Sequence, residues 1–399
     1  MMSTADELKS YVDESAVDLV TRMLAIPGKS GQESAIASFI VSELKAAGIS
    51  DSQIQFDQAN KKSPIGGEVG NLIVKLPGTI KGPRRLLMAH IDTVPLCAGC
   101  QPIREGNLIR SKDPNTALGG DDRAGAATIL NALKLIRKHN LPHPPLTFLW
   151  AVQEEIGLIG ARYVQASKLG QPKLCFNWDG GAAHLATIGA TGDDAIQIEV
   201  TGIASHAGAH PEEGVSAIAI AAKAITSLVE EGWHGKIVKG KKTGTSNIGI
   251  IHGGEATNVV TDRLLLKAEA RSHDAAFRKK IVEAYLKAFV KAAKSIKNSA
   301  GKTGGVTFEA IHKYEAFRLD PESEVVQVAM RAIREAGLTP ELKISNGGLD
   351  ANWMFAHGFP TVTLGCGQDG IHTVKEVLHI DTFLDACRIA LLLATGFSR

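Results

Sequence analysis

The chain contains the stretch Leu86-Leu87-Met88-Ala89-His90-Ile91-Asp92-Thr93, an apolar run that ends in two chemically active side chains. Such a run is typical of a buried strand. His90 and Asp92 lie two residues apart, so in an extended chain their side chains point to the same side. A neutral imidazole is a common metal ligand, and a neighbouring carboxylate can orient it. Taken alone, this stretch favours a purely structural histidine over a metal ligand.

Strand-like and helical segments alternate around this stretch. Apolar runs bounded by turn residues predict strands, and apolar spacings of three or four predict helices. The predicted segments are strands at Asn71–Leu76, Arg85–Ala89, Leu146–Val152 and Leu174–Trp178, and helices at Ser34–Gly48 and Ala124–Lys138. This pattern favours an α/β fold with a mixed, largely parallel sheet and helices on both faces. Such sheets place their chemistry just beyond the carboxyl ends of strands.

The pattern changes near Gly192, where a second and smaller α+β unit is predicted as an insertion. Its predicted elements are strands at Ile196–Val200 and Leu264–Ala270 and helices at Val215–Val229 and Phe277–Lys297. The lysines of the second helix are expected to form a solvated face. The α/β pattern resumes after Thr307–Ile311, with strands at Leu342–Ser345 and Thr361–Leu364 and helices at Glu322–Ala336 and Phe383–Ala394. The expected domains are 1–191 and 315–399, which form one unit, and 192–314.

The composition is that of an ordinary globular protein of 399 residues, with 44% apolar and 22% charged residues. Disordered and fibrous classes are therefore excluded. The formal charge of +2 gives no reason to expect a nucleic-acid or membrane partner. Five cysteines, an odd number, argue against a secreted disulfide framework. With no apolar signal region and no long apolar run, a cytoplasmic protein is expected.

Pairs of acidic residues stand at two other predicted element ends. Asp121 and Asp122 precede a predicted helix, where capping of the helix explains one carboxylate and leaves the second unexplained. Glu154 and Glu155 follow the strand Leu146–Val152. Adjacent carboxylates repel each other unless a cation or a proton intervenes. A metal ion would relieve this repulsion.

Two more side chains complete a set of potential ligands. Asp179 follows the strand that ends at Trp178, and His372 follows the strand Thr361–Leu364. Histidines and carboxylates at the strand ends of one sheet suit two divalent cations about 3.5–4 Å apart. Nitrogen and oxygen ligands favour zinc, with manganese or cobalt as alternatives. The sequence therefore predicts two zinc ions per subunit.

Three other signals are discounted. Gly365-Cys366-Gly367-Gln368-Asp369-Gly370 matches the dinucleotide pattern, but too little chain follows it for a complete βαβ unit. Cys97-Ala98-Gly99-Cys100 lacks the second cysteine pair of a structural zinc site. His139 and His143 lie in a proline-rich turn and are expected to face solvent.

In order and context, the chemical motifs resemble the co-catalytic zinc exopeptidase family of peptidase T, carboxypeptidase G and succinyl-diaminopimelate desuccinylase. The motifs are His90–Pro95, Gly120–Gly125, Glu154–Gly157, Asp179–Gly181 and the pair His372 and Glu376. The resemblance covers nearly the whole chain. It is closest to peptidase T, through the double aspartate, the aspartate followed by two glycines, and Asn346-Gly347-Gly348-Leu349-Asp350.

The resemblance implies a role for each residue of the set. The implied zinc ligands are His90 and Asp179 for one ion, Glu155 and His372 for the other, and Asp121 between both. Asp92 would steady His90. Glu154 would be the general base, which takes a proton from the attacking water and passes it to the leaving amine. The family also implies a cis peptide bond between Asp121 and Asp122.

The inserted domain corresponds to a lid through which many family members dimerise, so a homodimer is one expected partner besides a small peptide substrate. His206, in Gly202-Ile203-Ala204-Ser205-His206-Ala207-Gly208, would support the oxyanion. Asn258 and Arg271 are expected to bind the substrate's backbone or its C-terminal carboxylate, and Gly348 is expected to be a further substrate-binding residue. A guanidinium fork suits a carboxylate.

These features predict a metal-dependent aminopeptidase that releases the N-terminal residue of tripeptides. Three departures leave the choice of substrate open: Arg123 replaces the usual lysine, Leu349 replaces the usual threonine, and the segment around His206 lacks the histidine-proline-glycine form. An N-acyl amino acid deacylase or a carboxypeptidase or dipeptidase of the same family is the nearest alternative. A noncatalytic binding protein on the same scaffold is the remote one.

Overall fold

The structure, a computed structural model, describes Glu7 and residues 10–396. It contains two compact units. Among the described residues, the larger unit comprises those up to Gly189, Arg318–Ser345, and those from Leu349 onward. The smaller unit comprises Ala190–Phe317 and the short segment Asn346–Gly348. The sequence analysis set the insertion at 192–314 and did not anticipate the returning segment.

The helices and strands of the described chain have the following bounds. The strands are β1 (Ile54–Phe56), β2 (Leu72–Leu76), β3 (Arg85–His90), β4 (Pro102–Glu105), β5 (Leu108–Ser111), β6 (Leu146–Ala151), β7 (Leu174–Trp178), β8 (Leu185–Ala190), β9 (Gly192–Thr201), β10 (Gly235–Lys239), β11 (Lys242–Gly253), β12 (Arg263–Ser272), β13 (Gly305–Tyr314), β14 (Phe317–Arg318), β15 (Glu341–Ser345), β16 (Thr361–Leu364), β17 (Gln368–Asp369) and β18 (Val377–His379). The α-helices are α1 (Glu14–Leu24), α2 (Ser34–Ala46), α3 (Gly120–His139), α4 (Ile159–Arg162), α5 (Ala217–Glu230), α6 (Ala275–Ser295), α7 (Glu324–Glu335), α8 (Asp350–Ala356) and α9 (Ile380–Thr395).

The larger unit is built on a mixed sheet. Its strand order is β1-β2-β6-β3-β7-β16-β8-β14, with β15 paired to β8. The central strands β6, β3, β7 and β16 run parallel. Antiparallel pairs flank them on both sides. The predicted α/β class with a mixed, largely parallel sheet is thus confirmed.

Both faces of the central strands are buried. Met88 and Leu149 pack with Met354 of α8 in one apolar cluster. Trp150 follows Leu149 and therefore faces the other side of the sheet. There its indole N–H donates to the carbonyl of Ala126 in α3, at 3.1 Å. Burial on both faces explains why these strands are continuous apolar runs in the sequence.

The smaller unit contains an antiparallel sheet in the order β10-β11-β12-β9-β13. Helices α5 and α6 contribute to its apolar core, which includes Ile198, Leu266, Ile281 and Phe289. The lysines of α6 are exposed, as expected: Lys279, Lys280, Lys287, Lys291 and Lys294. The predicted solvated face of this helix is confirmed.

Several elements were missed or misplaced. Strands β10 and β11 were not predicted, because most of their residues are exposed and lack apolar alternation. The prediction that His143 faces solvent is wrong, since its side chain is buried and its Nδ1 lies 2.8 Å from the Pro144 carbonyl oxygen.

Within the described residues, the structure contains no helix of the length and apolarity that a membrane span requires.

Candidate metal centre

Three parallel strands bring their carboxyl ends to one edge of the sheet. His90 is the last residue of β3 and is paired with Ala151, the last residue of β6. The segment with Glu154 therefore begins beside His90. Asp179 follows directly after β7, which also pairs with β3. The expected gathering of these side chains at one sheet edge is confirmed.

Asp121 enters the site from the start of helix α3. Gly119 has a left-handed φ of 79°, and the Asp121–Asp122 peptide bond is cis, as predicted. The buried carboxylate of Glu376 accepts hydrogen bonds from the backbone N–H groups of Gly119, at 2.7 Å, and Asp121, at 2.9 Å. No role was predicted for Glu376 from the sequence. It fixes the turn that presents Asp121.

The Asp121 carboxylate lies between the two histidines. Its Oδ1 is 3.1 Å from His90 Nε2, and its Oδ2 is 3.2 Å from His372 Nε2. His372 Nε2 also lies 2.9 Å from Glu155 Oε2. One imidazole on each oxygen of a single carboxylate is the arrangement that a ligand shared by two cations requires.

Two groups of potential ligand atoms share His90. The ligand atoms of His90, Asp121 and Glu155 lie within 4.8 Å of one another, as do those of His90, Asp122 and Asp179. Both oxygens of Asp122 already accept hydrogen bonds, one from the backbone N–H of His90 and the other from that of Gly125. Asp179 is therefore the more available ligand of the second group.

Asp92 connects the histidine to the glutamate pair. Its carboxylate accepts hydrogen bonds from the backbone N–H groups of Glu154, at 2.9 Å, and Glu155, at 3.2 Å, and from the Ser30 hydroxyl, at 2.6 Å. His90 Nδ1 lies 3.1 Å from the Asp92 carbonyl oxygen and 3.4 Å from its Oδ1. Asp92 thus orients two segments, whereas the sequence analysis gave it only the imidazole.

The smaller unit holds His206 and Asn258 in linked loops. His206 Nδ1 accepts hydrogen bonds from the backbone N–H groups of Gly208, at 3.1 Å, and Ala209, at 3.0 Å. An uncharged His206 with an acceptor at Nδ1 carries its proton on Nε2. The backbone N–H of Ala207 donates to the Asn258 carbonyl at 2.9 Å. The structure therefore keeps these two predicted residues close together.

Arg271 and Gly348, also in the smaller unit, have other surroundings. Arg271 lies in β12 and forms an ion pair with Glu269 at 2.9 Å. No hydrogen bond between described residues joins Arg271 to His206 or Asn258. A Cβ atom at Gly348 would collide with the Tyr314 ring. This close approach gives the glycine a packing explanation in addition to the predicted role in substrate binding.

A family model described as peptidase family M20/M25/M40 matches residues 86–395. The chain belongs to this family. The M20 match covers every residue of the predicted ligand set, from His90 to His372. The suspected relationship to the co-catalytic zinc exopeptidases is confirmed, and the protein is a metal-dependent peptidase.

Individual relatives agree with the family. An uncharacterised protein of Bacillus subtilis, YqjE, is 33% identical over 335 residues, which cover 83% of this chain and 86% of the relative. Carboxypeptidase G2 of Pseudomonas is 28% identical to this chain over 386 residues, which cover 90% of this chain and 84% of the relative.

Solved structures match over nearly the full length. A tripeptidase from Staphylococcus aureus superposes with a TM-score of 0.85 at 32% identity, over 96% of this chain and 98% of its own. Aminopeptidase PepT from Bacillus cereus gives a TM-score of 0.81 at 30% identity, over 96% of this chain and 99% of its own.

The electrostatics of this M20 site fit bound cations. Burial raises the pKa of Glu154 and Asp179 well above their usual range. Burial also acts to raise the pKa of Asp121, but hydrogen bonds from both histidines outweigh it and hold that pKa well below its usual range. Crowded, buried carboxylates favour a nearby positive charge. Together with two imidazoles, they form a donor set that suits divalent metal ions.

Asp350 is a further buried carboxylate that the sequence analysis quoted only as part of a motif. Its side chain is 1% exposed, and neither carboxylate oxygen has a hydrogen-bond partner among the described residues. Burial raises its pKa to about 7. Its charge acts on both Glu154 and Asp179 and raises their pKa values further. Asp350 therefore adds to the negative potential of the site.

Proposed function

We propose that this M20 peptidase is an aminopeptidase that releases the N-terminal residue of tripeptides. The observation that carries the proposal is the full-length similarity to a tripeptidase and to an aminopeptidase PepT, at 32% and 30% identity. The larger unit supplies the buried histidine and carboxylate set that hydrolysis of a peptide bond needs.

We assign two zinc ions to the site. His90 and Asp179 would hold one ion, Glu155 and His372 the other, and Asp121 both. The support is the placement of the two imidazoles on opposite oxygens of Asp121. When bound, the ions supply positive charge beside the scissile carbonyl and lower the pKa of the attacking water.

Glu154 would act as the general base. A base must reach both the attacking water and the leaving amine, and a carboxylate with a raised pKa can hold the proton between the two steps. The raised pKa of Glu154 supports this role. Asp92 would keep the base in place through the backbone N–H of Glu154, at 2.9 Å. It would also keep the His90 imidazole oriented.

The smaller unit would complete the reaction and bind the substrate. His206 would donate its Nε2–H to the developing oxyanion, which the two hydrogen bonds to its Nδ1 support. Asn258 and Gly348 would contact the substrate backbone, and Arg271 would contact the C-terminal carboxylate. We also propose that the protein dimerises through this unit and is cytoplasmic. The five unpaired, buried cysteines support a reducing compartment.

The second candidate is a carboxypeptidase or an N-acyl amino acid deacylase, which the similarity to carboxypeptidase G2 favours. The test is a panel of tripeptides, their N-acetylated forms and N-acyl amino acids, with products identified by mass spectrometry. We expect release of the N-terminal residue from free tripeptides only. Cleavage of N-acyl amino acids without turnover of free tripeptides would contradict the proposal.

The noncatalytic alternative is tested with the same panel. Tripeptide binding without cleavage by the zinc-loaded protein would support a binding protein. A Glu154→Gln preparation, purified in parallel, controls for contaminating peptidases.

A further inference from the structure

The residue before Glu154 has an unusual backbone conformation. Gln153 has a φ of 55°, in the left-handed region that residues other than glycine seldom occupy. It lies where the chain leaves β6 and enters the pair Glu154 and Glu155. Such conformations persist where the surrounding structure holds them, and they concentrate at functional sites.

The structure holds Gln153 through its backbone carbonyl and its side-chain amide. Its backbone carbonyl accepts a hydrogen bond from the backbone N–H of Ile159 at 3.0 Å. Its side-chain Oε1 accepts from the Ser63 hydroxyl at 2.5 Å, and its Nε2 donates to the Gly66 carbonyl at 2.8 Å. The side chain is fully buried. The carbonyl and the side-chain amide of Gln153 are thus bound by the protein itself.

The loop that binds the Gln153 amide is shaped for it. A Cβ atom at Gly67 would collide with Gln153 Nε2, so a side chain there would displace the amide. Gly67 itself has a φ of 156°. The loop from Ser63 to Gly67 therefore receives the glutamine side chain as a fitted group.

The consequence of this turn is visible at Asp92. The consecutive backbone N–H groups of Glu154 and Glu155 both donate to its carboxylate, at 2.9 and 3.2 Å. In a continuing strand, consecutive N–H groups point to opposite sides. They converge on one carboxylate here because the chain leaves the extended conformation at Gln153.

We propose that Gln153 is a positioning residue, which sets the backbone turn that aims Glu154 and Glu155 at their places beside Asp92. The inference rests on the proposed roles of Glu154 as base and Glu155 as ligand. Gln153 acts through these neighbours and touches neither substrate nor metal. Ser63 acts through Gln153 in turn.

The test compares Gln153→Ala with Ser63→Ala, the double variant and wild type, all loaded with zinc. We expect Gln153→Ala to lower kcat about 10- to 100-fold, the range seen when groups that orient metal ligands are removed. KM should change less than about 3-fold, because no substrate contact is lost. Ser63→Ala should lower kcat by a smaller factor. The double variant should be no worse than Gln153→Ala, because the two residues act in one chain of contacts.

The matched control is Thr147→Val. Thr147 also makes a buried side-chain hydrogen bond, to the Leu169 carbonyl at 2.8 Å, but at the opposite end of β6. It should lower the melting temperature without lowering kcat. A crystal structure of Gln153→Ala provides a readout that needs no activity. In it, the distance from the Glu154 backbone nitrogen to Asp92 Oδ1 should exceed 3.5 Å, compared with 2.9 Å here.

Two results would overturn the role of Gln153 while leaving the proposed function intact. One is an unchanged kcat for Gln153→Ala when the wild-type enzyme is active. The other is additive effects of Ser63→Ala and Gln153→Ala on kcat. A wild-type enzyme that hydrolyses no peptide contradicts the proposed function first, and the inference falls with it. The two failures are therefore distinguishable.

Discussion

Among the described residues, three groups of one histidine and two carboxylates have ligand atoms within 4.8 Å of one another. Two of these groups share His90 and form one cluster, and the third group is a separate cluster. One contains His90 and Asp121 in the larger unit, and the other is His210, Glu212 and Glu213 in the smaller unit. In the first, the side chains of His90 and Asp121 are 2% and 7% exposed. In the second, those of His210 and Glu212 are 62% and 59% exposed. The ligand atoms are equally close together in the two clusters, but only the first cluster is buried.

The difference in burial decides what each cluster needs. Water solvates the exposed carboxylates, so they gain little from a cation. The buried carboxylates have lost water and repel one another, so protons or metal ions must balance them. The surroundings differ as well, since Glu376 and Asp92 hold the buried cluster in place by hydrogen bonds to the backbone. A preformed, desolvated set of ligands is therefore a better sign of a metal site than the proximity of ligands alone.

The largest expected difference between the two clusters follows from removing the imidazole of each one. His90→Ala should lose metal and lower kcat/KM by at least about 10³-fold, because several kcal/mol of charge stabilisation disappear. His210→Ala is the matched control and should keep full metal content and activity. Elemental analysis and peptide hydrolysis measure both. Equal effects of the two substitutions would contradict the distinction.

A second substitution separates the base from the ligands. Glu154→Gln should lower kcat about 10²- to 10⁴-fold, the usual contribution of a general base, with both metal ions retained. Glu212→Gln changes the same kind of group in the exposed cluster and should have no effect. Metal content and kcat are measured on the same samples. Retained hydrolysis in Glu154→Gln would remove its role as base.

Asp92→Asn tests the support of the buried cluster with a smaller expected effect. The amide keeps the shape but weakens acceptance of hydrogen bonds from Glu154 and Glu155 and the orientation of His90. We expect metal affinity or kcat to fall about 10- to 100-fold. Metal titration with a competing chelator and steady-state kinetics measure the two quantities. A change below 2-fold in both would show that burial alone maintains the site.

The smallest effect concerns the stability of the metal-free protein. Burial raises the pKa of Asp350 to about 7, so the folded state binds a proton more tightly than the unfolded state. Protonated Asp350 therefore does not destabilise the fold at acidic pH. This part of the free energy of unfolding is lost as pH rises from about 4 to about 7, because the buried carboxyl then ionises. Asp350→Asn removes this loss and should stabilise the metal-free protein by about 1–3 kcal/mol at pH 8, but much less at pH 4.

Denaturant unfolding at both pH values, with and without zinc, measures this effect. The difference between Asp350→Asn and wild type should shrink when zinc is bound, because the cations offset the carboxylate charge. A difference that is the same at both pH values would show that Asp350 stays ionised in the metal-free fold.

Sequence alone predicted the buried cluster far better than what holds it. His90 and Asp179 were found because apolar strands lead directly to them, a local signal. The cis bond after Asp121 came from the family resemblance. The capping role of Glu376 depends on contacts across more than 250 residues of chain, which no local pattern encodes. The hydrogen bond from Ser63 to Gln153 was not predicted for the same reason, because the two residues are 90 positions apart in the chain.

The smaller unit was harder to predict. Its strands β10 and β11 are mostly exposed, so they lack the apolar alternation that identifies strands. The predicted residues His206, Asn258 and Arg271 came from motif resemblance, and their surroundings depend on loop hydrogen bonds that the sequence does not reveal.

A crystal structure of the zinc-loaded protein, with anomalous data at the zinc edge, would locate the metal ions directly. We expect two strong peaks in the larger unit, one against His90 and Asp179 and the other against Glu155 and His372, with Asp121 between them. A single peak there, or peaks of equal strength at His210, Glu212 and Glu213, would contradict this expectation.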